Sequence, residues 1–291
     1  MKQEKKDVKK WFMPVVYAVL VYLLWEITGA FVAYVTGMLT AGLPSSLDST
    51  YIVMFLNEIV TFAILYLFFH KKVCLERKGK GDYSLLFVSG MILFPFIQIC
   101  GDIITILNGE SIFSIASGKG IRLFLICLLA CLSTGLLEEY VWRGIVFHIF
   151  WKAWGKKKEG VYASVLVSSI CFGACHYMNL LAGQDFLSTS QQVISATCMG
   201  VFLSALFLNT NHLLVPVLVH GLCNFSNFFM NEILGWDYSV WKYDSILQWI
   251  LAIGYFSAGL YFVYRYEKAR TDICGAEDNA ESLQRKQSFV K

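Results

Sequence analysis

Ala130-Cys131-Leu132-Ser133-Thr134-Gly135-Leu136-Leu137-Glu138-Glu139-Tyr140-Val141-Trp142-Arg143-Gly144-Ile145-Val146-Phe147 sets three ionisable side chains within six residues of a largely apolar run over 121–151. Apolar runs longer than about 18 residues read as membrane-spanning helices. A charged side chain at the centre of a bilayer costs roughly 2.5–3.5 kcal/mol on insertion scales. A spanning helix keeps such groups for a polar partner or for chemistry. The stretch therefore predicts an all-α, polytopic bundle with a polar site inside it.

The rest of the chain agrees. Of 291 residues, 57% are hydrophobic and only 15% charged, where soluble domains carry about a quarter. Mean hydropathy is +0.57. Eight candidate spans follow, at about 12–36, 51–70, 84–107, 121–151, 160–181, 192–209, 213–231 and 247–265. The first is too long for the roughly 7–15-residue core of a cleaved signal peptide and reads as an uncleaved span. The chain divides into a three-span region (1–120), a core (121–231), and a last span with a polar tail (232–291), the tail reading as a frayed end. A net charge of +3 gives no case for nucleic acid.

Basic residues set the orientation. Lys2, Lys5, Lys6, Lys9 and Lys10 precede the first span. Lys71, Lys72, Arg77, Lys78 and Lys80 follow the second, and Lys152, Lys156, Lys157 and Lys158 follow the fourth. The opposite loops hold Lys119, Arg122 and Lys242. The positive-inside bias places both termini in the cytoplasm, for instance at a bacterial plasma membrane. Cys100, Cys127, Cys131, Cys171, Cys175, Cys198 and Cys223 sit in apolar runs as small hydrophobes, without zinc or disulfide spacing.

Three spans each aim a polar pair at helical spacing. Glu139 and Arg143 are four apart, so they share a face and can pair. Glu138 is turned about 100° away and lacks that partner. Phe172 and His176 are four apart on the fifth span, beside the small residues Gly173 and Ala174. His220 and Asn224 are four apart on the seventh. A glutamate and a histidine can take a proton from water and pass one to a leaving amine. A second histidine with an asparagine can stabilise an oxyanion. These are the parts of a peptide hydrolase.

At these residues the chain resembles the CPBP family, membrane proteins of the CAAX-protease and bacteriocin-processing group that include type II CAAX prenyl endopeptidases. The family motif Glu-Glu-x-x-x-Arg is met by Glu138, Glu139 and Arg143; Phe-x-x-x-His by Phe172 and His176; His-x-x-x-Asn by His220 and Asn224. The resemblance covers about 121–231 and implies an intramembrane endopeptidase. It implies that Glu138 and His176 activate water, that His220 and Asn224 hold the oxyanion, and that Glu139, Arg143 and Phe172 support the site. Some family members are labelled metalloproteases. Glu138, His176 and His220 are the candidate ligands of a zinc site, but the chain has no His-Glu-x-x-His, which favours direct glutamate–histidine catalysis.

A structural reading stands beside each functional one. Glu139 and Arg143 can serve only to hold helices together, and a buried histidine is more often a packing residue than a catalyst. On that reading the chain is a non-catalytic scaffold or bacteriocin-immunity protein that uses the same pocket for binding. A peptide or membrane-protein substrate and the bilayer are the partners implied by the leading reading. Glu26, Asn57, Glu58, Gln98 and Asp102 are further polar residues in or near spans, able to line a cavity or to pair with one another. His148 lies near the basic end of the fourth span and His212 in a short loop.

Overall fold

The computed structural model describes residues 2–44, 46–71, 73, 81–84, 87–93, 95–97, 118–228 and 246–288. The described chain is built from helices. They are α1 (Lys2–Thr40), α2 (Leu47–Phe69), α3 (Gly118–Glu139), a π-helical segment (Tyr140–Val146), α4 (Phe147–Trp154), α5 (Lys158–Cys175), a 3-10 turn (His176–Leu180), α6 (Phe186–Thr210), α7 (Leu214–Phe228) and α8 (Ile246–Ser288). A further short apolar helix covers Phe87–Ile97.

Among the described residues, five helical stretches are long and apolar enough to cross a membrane: Lys10–Thr40, Asp48–Phe69, Ile121–Trp154, Lys158–Leu180 and Phe186–Thr210. The chain is an integral membrane protein, but the expectation of eight spans is too high. α7 has 15 residues, a rise of about 22 Å, short of a bilayer core of about 30 Å. Most of the expected 84–107 span, with Gln98 and Asp102, lies outside the described residues, as do 229–231. α8 contains 247–265 but continues as one helix into the charged tail. The tail expected to fray is therefore helical through Ser288.

The helices do not share burial equally. In α1 only 17% of the most apolar window is buried, against 61% in α6. Exposed Phe12, Ile27, Phe31 and Leu39 on α1 thus face lipid, while Val201–Thr210 of α6 is buried on every side. A helix apolar all round belongs in a core. α6 packs on α5 and α8, and α3 packs on α2 and α7.

Helix ends follow local chemistry. Ser46 and Ser49 cap α2 reciprocally, each side chain meeting the other's backbone N–H. The Asp185 carboxylate accepts from Ser188 N–H at 3.0 Å at the start of α6. Asn211 ends α6 in the left-handed conformation, φ 58°, which asparagine tolerates.

Two departures from regular helix shape the interior. The fourth span is drawn in sequence as one α-helix, but Tyr140–Val146 is π-helical: Phe147 N–H bonds to Trp142 O, five residues back. Such bulges occur often at functional sites. The fifth span stops being α-helical at Cys175, earlier than its expected end at 181. His176 therefore sits at a helix terminus.

Candidate active site

The site begins where two helix backbones touch. A Cβ added to Gly135 would lie 2.9 Å from both Gly221 N and Val217 O, and one added to Gly221 would lie 3.0 Å from Leu132 Cα. Only glycine at both positions lets α3 and α7 approach this closely. The contact carries His220 of α7 against the end of α3, where the two glutamates project.

Glu139 is fully buried, and its Oε1 is the hub. Arg143 Nη1 donates to it at 2.7 Å, and His220 Nδ1 lies 2.8 Å away. Arg143, also buried, donates through Nη2 to Gly200 O on α6 at 3.1 Å. Its guanidinium stands 4.6 Å from the centre of the Phe172 ring, a cation–π contact in a desolvated setting. One side chain thereby ties α3, the π segment, α5 and α6 together.

Both histidines are fixed through the same ring nitrogen. A carboxylate and a carbonyl can only accept, so Nδ1 of each histidine carries the proton. For His220 the acceptor is Glu139 Oε1, and its Nε2 is turned to Glu138 Oε2 at 3.7 Å. For His176 the acceptor is Phe172 O at 3.1 Å, with Cys175 Sγ 3.6 Å from the same nitrogen. The Phe172 ring meets both imidazoles edge-on, His176 at 5.4 Å and His220 at 5.8 Å between ring centres. Each histidine is left with Nε2 for chemistry.

The two adjacent glutamates divide as their angular separation predicts. Glu139 is sealed in, whereas the Glu138 side chain keeps 20% of its surface. Glu138 is 3.7 Å from His220, beyond direct hydrogen-bond range. Asn224 is half-buried one turn after His220 on α7 and has no hydrogen-bond partner among the described residues.

The first two helices also reach this region. Glu58 of α2 and Cys175 of α5 both lie within electrostatic range of Glu138, and Cys175 within range of Glu26 of α1. Glu26 and Glu58 thus belong with the motif residues, whereas Asn57 is a hydrogen-bond partner of Thr36 on α1. Tyr22, beside Glu26 and 6.1 Å from the Trp142 ring, escaped the sequence reading because a tyrosine in a span is ordinary. His212 accepts from Leu214 N–H at the start of α7, a turn role.

Among the described residues no group of three or more His, Cys, Asp or Glu side chains is arranged to hold a metal ion. The set Glu138, His176 and His220 does not fit a three-ligand zinc site. Both imidazoles meet the Phe172 ring edge-on, and among the described residues the three side chains do not converge as a ligand set.

Residues 120–226 match the family described as Type II CAAX prenyl endopeptidase Rce1-like. The human protein "CAAX prenyl protease 2" is 28% identical over 102 residues, a match that covers 32% of this chain and 30% of the relative. The chain thus matches less than a third of that relative's length. No solved structure matches significantly. Glu138, Glu139, Arg143, Phe172, His176, His220 and Asn224 all fall inside the matched segment. Over residues 120–226 the chain is thus similar to the Rce1-like family of type II CAAX prenyl endopeptidases.

Proposed function

We propose that the protein is an intramembrane endopeptidase that hydrolyses a peptide bond in a membrane-associated peptide or protein. The observation that carries this reading is the pairing of an oriented histidine with a partly exposed glutamate: His220 is held by Glu139 at Nδ1 and presents Nε2 to Glu138 at 3.7 Å. A structural ion pair would need Glu139 and Arg143 alone. It would leave no reason for a second carboxylate with open surface beside them.

In the proposed mechanism, Glu138 takes a proton from water as the oxygen attacks the scissile carbonyl. His176, its Nδ1–H committed to Phe172 O, orients the same water through Nε2, and Glu138 passes the proton it took to the amine nitrogen as the C–N bond breaks. The tetrahedral oxyanion meets His220 Nε2–H and the Asn224 amide. For this step His220 carries protons on both nitrogens, so that Glu138 and Glu139 balance Arg143 and His220 in charge. Such balance is what a water-poor site demands.

The human relative is named for prenylated CAAX substrates, which points to a substrate ending in such a sequence. A lipid-modified peptide also suits a site opening within a bilayer, and unmodified peptides are the other class that this scheme serves. Lysines flanking the spans favour cytoplasmic termini. The test is mass-spectrometric detection of cleavage of farnesylated and unmodified peptides of one sequence by wild-type protein in proteoliposomes, with Glu138→Gln as the control. Cleavage of either peptide that disappears in Glu138→Gln supports the reading. Wild-type protein that binds the peptides without cleaving them overturns it in favour of a binding pocket.

A further inference from the structure

Outside the candidate active site, two adjoining open clefts of about 480 and 400 Å³ lie along α1 and α4 and share Tyr17, Ile149 and Lys152. Each falls in the range of roughly 300–1,000 Å³ typical of small-molecule sites. The larger one is bounded by Lys10 and Lys152. The smaller continues from Lys152 along Leu20 and Leu24 to Phe69 of α2 and Ile145 of the π segment. Together they make a groove with a basic end and an apolar end.

We propose that this groove holds one anionic phospholipid, with its phosphate between Lys10 and Lys152 and one acyl chain running towards Ile145. Charge complementarity names the occupant. Lys10 and Lys152 are exposed, and neither has an ion-pair partner among the described residues. Nothing acidic lines either cavity. Two lysines facing one space, with apolar side chains beyond them, fit an anion attached to a hydrocarbon chain and not a zwitterion.

Depth agrees. Trp154 Nε1 donates to Lys10 O at 3.1 Å, and its ring lies 4.6 Å from that of the exposed Trp11. Tryptophans gather at the membrane–water boundary, so the basic end lies at headgroup level. From Lys10 to Leu24 is 14 residues of helix, about 21 Å. That length takes an acyl chain across one leaflet, half of a core of about 30 Å.

The experiment is native mass spectrometry of the detergent-purified full chain, titrated with phosphatidylglycerol or phosphatidylcholine. Wild type and the Lys10→Gln/Lys152→Gln double variant are compared. Each lysine near a headgroup contributes on the order of 1 kcal/mol. Wild type is therefore expected to prefer phosphatidylglycerol by about ten- to thirty-fold, and the double variant to lose that preference. Both substitutions are on exposed side chains, and circular dichroism verifies that helix content is kept. Equal affinity of wild type for the two lipids, or an undiminished preference in the double variant, overturns the proposal. Displacement of phosphatidylglycerol by soluble glycerol phosphate also overturns it, because the lysines would then hold a free anion without a chain.

Discussion

Glu139 and His220, 81 positions apart in the chain, meet at 2.8 Å through Oε1 and Nδ1, with Arg143 on the same oxygen at 2.7 Å. That oxygen joins the catalytic candidates to the packing of the bundle. Glu139→Gln leaves the Arg143 guanidinium buried without a charged partner. Breaking a buried pair in this way costs about 3–5 kcal/mol. Thermal unfolding in detergent should show a large loss for Glu139→Gln and little for Glu138→Gln, whose carboxylate is partly exposed. Equal melting of the two variants would contradict the division of roles.

Phe172 places its ring under Arg143 and edge-on to both His176 and His220. Phe172→Leu preserves apolar character but removes the ring face. The expected outcome is a stability loss of about 1–2 kcal/mol, in line with a desolvated cation–π contact. A fall of about ten- to hundred-fold in kcat with KM little changed should accompany it. A change confined to KM would place Phe172 in substrate binding instead.

Gly135 and Gly221 set the α3–α7 distance. Gly135→Ala forces a methyl to within 2.9 Å of backbone atoms, and overpacking of this kind typically costs about 1–3 kcal/mol. Gly29→Ala in α1 is the control, since a Cβ there meets nothing within 4 Å. Alanine in an open helix position should be neutral or stabilising by up to about 1 kcal/mol. Unfolding midpoints of the two variants should therefore move in opposite directions or differ clearly. Unchanged midpoints in both would show that the helices reach the same spacing without the glycine.

The fully exposed Asp185 carboxylate is held below its ordinary value by hydrogen bonds from Ser188 at the start of α6. A carboxylate with a lowered folded-state pKa stabilises the fold above its unfolded value, here near 3.8, and loses that contribution as pH falls through the folded value. Asp185→Asn keeps a capping side chain but removes the charge. Its melting temperature should lie below wild type at neutral pH, with the gap closing as the solution is acidified below the unfolded value. A gap that persists there would mean that the ionised form is not what stabilises the cap.

Much of the site is legible in the residues because a helix repeats every 3.6 positions. Spacing alone puts Glu139 and Arg143 on one face and turns Glu138 away, and the structure has both features. What spacing cannot reveal is where the helix changes pitch. Tyr140–Val146 is made of ordinary span residues, yet it is π-helical where Gly144 meets Val73 and Leu213 from other parts of the chain. The span count erred for a related reason. The apolar run around Leu214–Phe228 looks like a membrane crossing in composition, but its α-helix is too short to be one. Tyr22 and the nearness of Glu58 to Glu138 depend on contacts between helices, for which sequence periodicity carries no signal.

The most direct test of the central claim is the rate of peptide cleavage by wild type, Glu138→Gln and His176→Ala in lipid bilayers, with thermal unfolding measured on the same preparations. The account predicts cleavage by wild type, a loss of at least about a hundred-fold in each variant, and a Glu138→Gln melting temperature close to wild type. Wild-type turnover retained by a folded Glu138→Gln protein would contradict it.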